Sequence, residues 1–153
     1  MNILVAVDLS DATETIVNKA EEIAKAVSAQ IWIIHVAQPK PELLEFDVGP
    51  QAERDFLAKR FQAEHAQVQE ISSRLRHGGL TATALLRKGD TIDTILTEAS
   101  KLKADIIVVG SHGRGMMFQL FVGSVSQGIL SNAQCPVLVI PSTYPGAVLE
   151  KDN

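Results

Sequence analysis

Short apolar runs recur along the chain, and stretches of helical period separate them. The first, Ile3-Leu4-Val5-Ala6-Val7, is continuous and rich in β-branched residues and stops at Asp8. A strand that is apolar at every position is buried on both faces, which is the mark of a parallel sheet under two layers of helices. Ile31 to Val36, Thr81 to Leu86, Asp105 to Val109 and the proline-bracketed run Pro136 to Pro141 repeat the pattern. Parallel strands need a crossover of a dozen or more residues, and every gap between these runs is long enough to hold one. The expectation is a doubly wound α/β fold with five parallel strands and helices on both faces.

The intervening stretches carry the helix signals. Ile16, Ala20, Ile23 and Val27 fall three and four apart after Ser10-Asp11, either of which suits an N-cap. Leu57, Phe61, Val68, Ile71 and Leu75 keep helical spacing between Gln51 and His77, Glu64 interrupts their stripe, and Gly78-Gly79 ends it. Asp90 to Lys103, with Ile92, Ile95, Leu96 and Ala99 inward, and Ser124 to Ala133 complete the set. Residues 37–50, with three prolines and a glycine, form a longer connection than α/β units use, as a lid or an insertion would. Residues 1–141 read as one domain and 142–153 as a polar, frayed tail.

In doubly wound sheets ligands bind beyond the carboxyl ends of strands, so the residues just after each strand carry the functional information. The segment after the fourth run is the richest: Gly110-Ser111-His112-Gly113-Arg114-Gly115 leads through Met116 to Val122 into Gly123-Ser124. Glycines let the backbone approach a ligand and present successive N–H groups, and a helix start adds unpaired donors and the positive dipole end. The alternative for any one glycine is a simple tight turn. The segment fits neither common phosphate fingerprint: no Gly-x4-Gly-Lys-Ser/Thr is present, and Gly113-x-Gly115 lacks the third glycine of a dinucleotide turn.

It does read Gly-x2-Gly-x9-Gly-Ser, with Gly110, Gly113, Gly123 and Ser124 in register. On this motif the chain resembles the universal stress protein family, in its ATP-binding branch. The resemblance extends over Ile3 to Ser10, His35-Val36, Ala104 to Gly113, and Gly123 through Val139. It implies strand order 3-2-1-4-5, which sets the first and fourth strands side by side. It also implies that Asp8 bonds the nucleoside, that the Val36 main chain meets adenine, and that Val109, Gly110, His112, Gly113, Gly123, Ser124 and Val125 surround ribose and phosphates. ATP is the implied ligand, with or without Mg²⁺, and AMP or ADP satisfy the same contacts. A homodimer paired through strand 137–140 is implied as well, and an apolar edge strand there would otherwise stand uncovered.

Bland readings stand beside several of these residues. Asp8 serves equally as a cap for the next helix, and Ser124 as cap and ligand together. His35 ends a buried strand and is expected to bond main chain; His65 and His77 are expected at the surface. Arg114 could reach a γ-phosphate or stay solvated, and Met116, Met117, Phe118, Leu120 and Phe121 pack as loop core or cover the nucleotide. Small Ala6 leaves room near a base. Cys135 is expected as a packing residue, and the histidines lack metal-ligand spacing.

Net charge and catalytic groups narrow the function. Fourteen Lys and Arg against 18 Asp and Glu leave −4, without the basic cluster that displaces counterions, so nucleic acid is not an expected partner. A single cysteine, no signal-like N-terminus and no apolar run near the roughly 20 residues of a membrane span lead to the expectation of a soluble, cytoplasmic protein. Phosphoryl transfer needs charge neutralisation at the γ-phosphate, and neither a phosphate-loop Lys nor a Mg²⁺ carboxylate pair stands out. The reading is an ATP-dependent regulatory switch in a stress response, acting on a protein partner. Its alternatives are a nucleotide-independent dimeric interaction module and a slow ATPase.

Overall fold

The computed structural model describes residues 1–38, 49–111 and 122–141. Strands and helices alternate: β1 (Asn2–Ala6), α1 (Thr13–Ala26), β2 (Gln30–Ala37), α2 (Pro50–His77), β3 (Ala82–Lys88), α3 (Thr91–Lys101), β4 (Ile106–Gly110), α4 (Ser124–Asn132) and β5 (Val137–Ile140). All pairings are parallel and the order is β3-β2-β1-β4-β5. This is the doubly wound sheet that the alternating runs imply.

Because side chains alternate across a strand, each apolar run feeds two cores. Ile3, Val5, Ile31, Ile33 and Val108 meet Ile16, Val17, Ala20 and Ala24 of α1 and Val68 and Leu75 of α2. Leu4, Ile34, Val36, Ile107 and Val109 meet Ile95 and Ala99 of α3 and Ile129 of α4. Ile3, Leu4, Val5, Ile31, Ile33 and Ile107 are fully buried. At about 1.5–3 kcal/mol for each such side chain, this burial is the main force holding helices to both faces.

Several boundaries differ from those the sequence suggests. Neither Ser10 nor Asp11 caps α1: its N-cap is Ala12, which makes no side-chain bond, because Asp8 Oδ1 instead accepts from the Ser10 N–H at 3.0 Å. Leu9, at φ +61°, turns the chain sharply between them. Val27 falls past the end of α1 and is 46% exposed, since the helix stops one residue before it. Residues 81–86 extend to a strand reaching Lys88, each residue from Ile31 to Ala37 finding a β3 partner. Ser124 is not a cap: Gly123 holds the N-cap position of α4 and has no side chain to bond with. Asp90 does cap α3, its Oδ1 accepting from the Asp93 N–H at 2.9 Å.

Candidate functional site

The strand order reverses at β1. From β1 the chain crosses to β2 on one side, while β4 lies on the other, so a crevice opens between the carboxyl ends of β1 and β4. Val5 pairs with Val108, which brings the exit of β1 toward Asp8 beside the exit of β4 at Gly110. On the other flank Ala6 pairs with Ile34, so two residues further on Asp8 stands opposite Val36. The Ile34 carbonyl accepts from the Val7 N–H at 2.9 Å, and by the alternation of the ladder the main-chain groups of Val36 face the same way.

Helix α4 starts at this mouth and is tied to β4 twice. The Ser126 hydroxyl, on a residue only 6% exposed, donates to the Gly110 carbonyl at 2.5 Å. The Gly123 N–H donates to the Ser111 carbonyl at 2.6 Å. That second bond matters to the chemistry, because it occupies the Gly123 donor. The first intrahelical bond of α4 runs from Gln127 N–H to the Gly123 carbonyl, which leaves the N–H groups of Ser124, Val125 and Ser126 as the orphan donors of the first turn. With the helix dipole behind them, these groups favour an anion. Gly123 therefore contributes position and Ser124 and Val125 contribute donors.

The expected site residues divide cleanly. Asp8, Val36, Val109, Gly110, Gly123, Ser124 and Val125 lie at the carboxyl ends of β2, β1 and β4 or the start of α4. His112 and Gly113 lie outside the described residues, as do Arg114, Met116, Met117, Phe118, Leu120, Phe121 and most of the 37–50 connection. Asp8 is half-buried and, among the described residues, only the Ser10 N–H is bonded to its carboxylate, at Oδ1. Asp8 does not cap α1, whose N-cap is Ala12; its Oδ1 holds the local turn at Ser10 instead. Val36 and Val109 are 6% and 2% exposed, so both are packed into the sheet at its carboxyl end.

Other candidates fall away from the crevice. His77 Nδ1 contacts the Ser73 carbonyl on exposed helix, and His65 is exposed with Gln69 beside it. Cys135, half-buried, sits at the opposite end of the sheet with Leu96, Lys103 and Ile107 around a cavity of about 280 Å³. Burial pushes its thiol above the ordinary range, as suits a packing residue. Among the described residues no three His, Cys, Asp or Glu side chains gather as a metal site, and no helix is long and apolar enough to cross a membrane.

His35 behaves as expected in one respect and adds another. Its Nδ1 lies 2.9 Å from the Val7 carbonyl, the main-chain bond anticipated for a strand-end histidine. Its Nε2 faces Glu64 Oε2 at 3.4 Å, and Arg60 Nε donates to Glu64 Oε1 at 3.1 Å. The interruption of the α2 stripe at Glu64 was the visible signal for this contact; its partner was not.

Comparison with known proteins agrees with this architecture. The universal stress protein family matches residues 1–141. A universal stress protein encoded beside a sulfhydrylase gene in Thermus aquaticus is 33% identical over 138 residues, covering 90% of this chain and 96% of that one. Among solved structures, a universal stress protein from Lactobacillus plantarum superposes with TM-score 0.75 at 23% identity over 92% of this chain and 97% of its own. Another universal stress protein, solved in complex with cAMP, gives TM-score 0.65 at 22% identity, covering 94% and 98%. One from Archaeoglobus fulgidus, in complex with dAMP, gives 0.63 at 23%, covering 92% and 97%. With its sheet order, its Gly-x2-Gly-x9-Gly-Ser spacing and a family match over nearly its whole length, the chain belongs to the universal stress protein family.

Proposed function

We propose that the chain binds an adenine nucleotide, ATP foremost, in the crevice between β1 and β4 and works as a nucleotide-dependent regulatory protein. The observation that carries the reading is the convergence of Asp8, opposite Val36, with Gly110 and the orphan N–H groups of Ser124 and Val125. Adenine meets the Val36 main chain, the Asp8 carboxylate accepts from ribose hydroxyls, and phosphates lie on the first turn of α4. His112 and Gly113 belong to the same set by their place in the motif. A net charge of −4 fits this arrangement, since phosphate is held by directed N–H groups and not by a basic surface. The family relatives in complex with cAMP and dAMP support an adenine nucleotide as the ligand class. Mg²⁺, where it accompanies ATP, would neutralise part of the phosphate charge that faces the Ser124 and Val125 N–H groups.

The nucleotide state is read by a protein partner, and a homodimer forms through β5, whose Val137, Leu138 and Val139 are only half-buried on the free edge of the sheet. Light scattering at micromolar concentration gives a dimeric mass in this reading.

The deciding experiment is equilibrium binding of ATP, ADP, AMP and cyclic AMP to the purified protein, with the Gly113→Val/Gly123→Val double variant as control. ATP binds the wild type and not the variant. Failure of every adenine nucleotide to bind the folded wild type sinks the proposal. Product analysis after long incubation with Mg-ATP separates a binder from a slow ATPase.

A further inference from the structure

Three groups on two elements form a polar chain inside the face that α2 covers. On β2 the inward row runs Ile31, Ile33, His35, and on α2 the facing row runs Leu75, Val68, Glu64. The buried positions of α2 also include Ser72, whose hydroxyl is spent on the Ala82 carbonyl at 3.3 Å; at the far ends of the two rows the imidazole meets the carboxylate. His35 is 8% exposed, and among the described residues neither its Nε2 nor Glu64 Oε2 has a hydrogen-bond partner. A buried polar atom without a partner costs about 1–3 kcal/mol, so two facing each other call for an explanation.

Proton bookkeeping supplies one. The Val7 carbonyl can only accept, so His35 Nδ1 carries a hydrogen and donates it at 2.9 Å. If Nε2 had no proton, its lone pair would point at an ionised carboxylate 3.4 Å away. One proton is therefore needed between the two atoms. Arg60 Nε donates to the other carboxylate oxygen, Oε1, which leaves Oε2 as the oxygen that faces the ring.

We infer that His35 and Glu64 are a proton-dependent positioning pair: one proton shared between them holds α2 against the sheet and fixes the ends of β1 and β2, where the adenine site is formed. The ring is bonded to Val7, the residue before Asp8, and His35 is itself the residue before Val36. Losing the proton sets lone pair against carboxylate, moves the ring and loosens the one side-chain bond that spans the two strand ends.

The other charged groups around His35 are accounted for. Asp8, beyond Val7 on the β1 side, is bonded to the Ser10 N–H. On β3, Lys88 lies over the Phe61 ring at 4.2 Å and Arg87 reaches Glu98 at 3.2 Å. Asp93 and Glu98 of α3 belong to the helix on the opposite face. Among the described residues only Glu64, with Arg60 behind it, meets the imidazole.

The effect on binding rests on the nucleotide reading above; the protonation itself does not. Nitrogen NMR of the imidazole in nucleotide-free wild type comes first, and the expected spectrum has a proton on each His35 nitrogen under the conditions in which ATP binds tightly. Between conditions in which the spectrum shows the Nε2 proton and conditions in which it is gone, ATP binding to the wild type weakens on the order of tenfold. In Glu64→Gln the amide donates to a neutral Nε2 under both, so the ring carries only its Nδ1 proton and the ratio of affinities falls close to one. A wild-type ring that never carries the Nε2 proton in the folded protein, or an affinity ratio the same in E64Q as in wild type, overturns the inference. If ATP binds under neither condition, the nucleotide reading falls and the ring spectra alone decide the pair. Should E64Q fail to fold, the wild-type spectra still decide it.

Discussion

The Ser126 hydroxyl donates to the carbonyl oxygen of Gly110 and so clamps the first turn of α4 onto the last residue of β4. This bond sets the distance between the strand end and the orphan N–H groups beside it. Ser126→Ala removes one buried hydrogen bond, worth about 1 kcal/mol of stability. Its effect on ligands is expected to be uneven. On the proposed nucleotide reading, in which α4 meets the phosphates, affinity for ATP falls more than affinity for adenosine. Ser126→Thr keeps the hydroxyl and restores the ratio. Calorimetric titration of both ligands into all three proteins checks this, and equal losses for ATP and adenosine would mean that the bond is purely structural.

The sequence shows this site unevenly, for reasons that lie in particular residues. Burial on both faces makes Ile3 to Val7 and Asp105 to Val109 continuous apolar runs, so the strands and their order of appearance are visible without coordinates. The glycine spacing from Gly110 to Ser124 is equally visible because it is a pattern of residue types along one stretch of chain. Contacts between side chains far apart in sequence carry no period. His35 and Glu64 each look odd alone, a polar end to an apolar strand and a gap in an apolar stripe, and only the antiparallel run of α2 over β2 brings them together. The tight turn at Leu9 is hidden for a different reason: φ +61° is read from glycine or asparagine, and here a leucine takes it. That turn moves the start of α1 to Ala12 and leaves Asp8 bonded to Ser10.

Two other residues adopt the same left-handed backbone with nothing functional nearby to require it. Ser28 at φ +52° and Lys103 at φ +50° each follow a helix, and each lies within the same pair of closing bonds. After α1 these are Ser28 N–H to Lys25 O and Ala29 N–H to Ala24 O; after α3 they are Lys103 N–H to Ser100 O and Ala104 N–H to Ala99 O. Glycine is the residue suited to this position. Relief of left-handed strain exceeds the entropy that glycine adds to the unfolded chain, so Ser28→Gly and Lys103→Gly each stabilise by about 0.5–1 kcal/mol. The gains add, because the two turns belong to helices on opposite faces. Thermal melts of the single and double variants test this; a lower midpoint for both singles would contradict it.

Glu98 gives the fold part of its acid sensitivity. Burial pushes its carboxyl up, yet hydrogen bonds from Lys101 at 3.0 Å and Arg87 at 3.2 Å, with their charges, outweigh it and hold the group below the ordinary carboxylate range. A folded value below the unfolded one means stability that is fully present above the ordinary range and lost as pH falls through the folded value. Both cations are substantially exposed, which screens the pairs. Glu98→Gln therefore costs about 1–2 kcal/mol near neutral pH. The gap to wild type narrows as the medium is acidified below about pH 4, where the wild-type carboxyl takes up its proton. Urea unfolding at neutral and acid pH measures both gaps, and a gap that widens in acid would reverse the assignment.

Gly128 of α4 packs directly against Ile92 of α3. A Cβ there would stand 2.5 Å from Ile92 Cδ1 and 3.2 Å from its Cγ1, so alanine cannot enter without moving a β-branched side chain. Alanine would gain about 1 kcal/mol as a helix former, but overpacking of this kind costs about 1–3 kcal/mol. Gly128→Ala is expected to lose on the order of 1 kcal/mol overall. Ile92→Val alone loses about 1 kcal/mol by deleting the methyl group. Together the two changes relieve each other, since valine lacks the Cδ1 atom that the new Cβ meets. The double variant should be more stable than the sum of the single losses by about 1 kcal/mol, the size of coupling typical of residues in contact. A double-mutant cycle in urea measures it directly, and strictly additive losses would show that α3 and α4 accommodate the methyl by sliding apart instead of by clashing at Ile92.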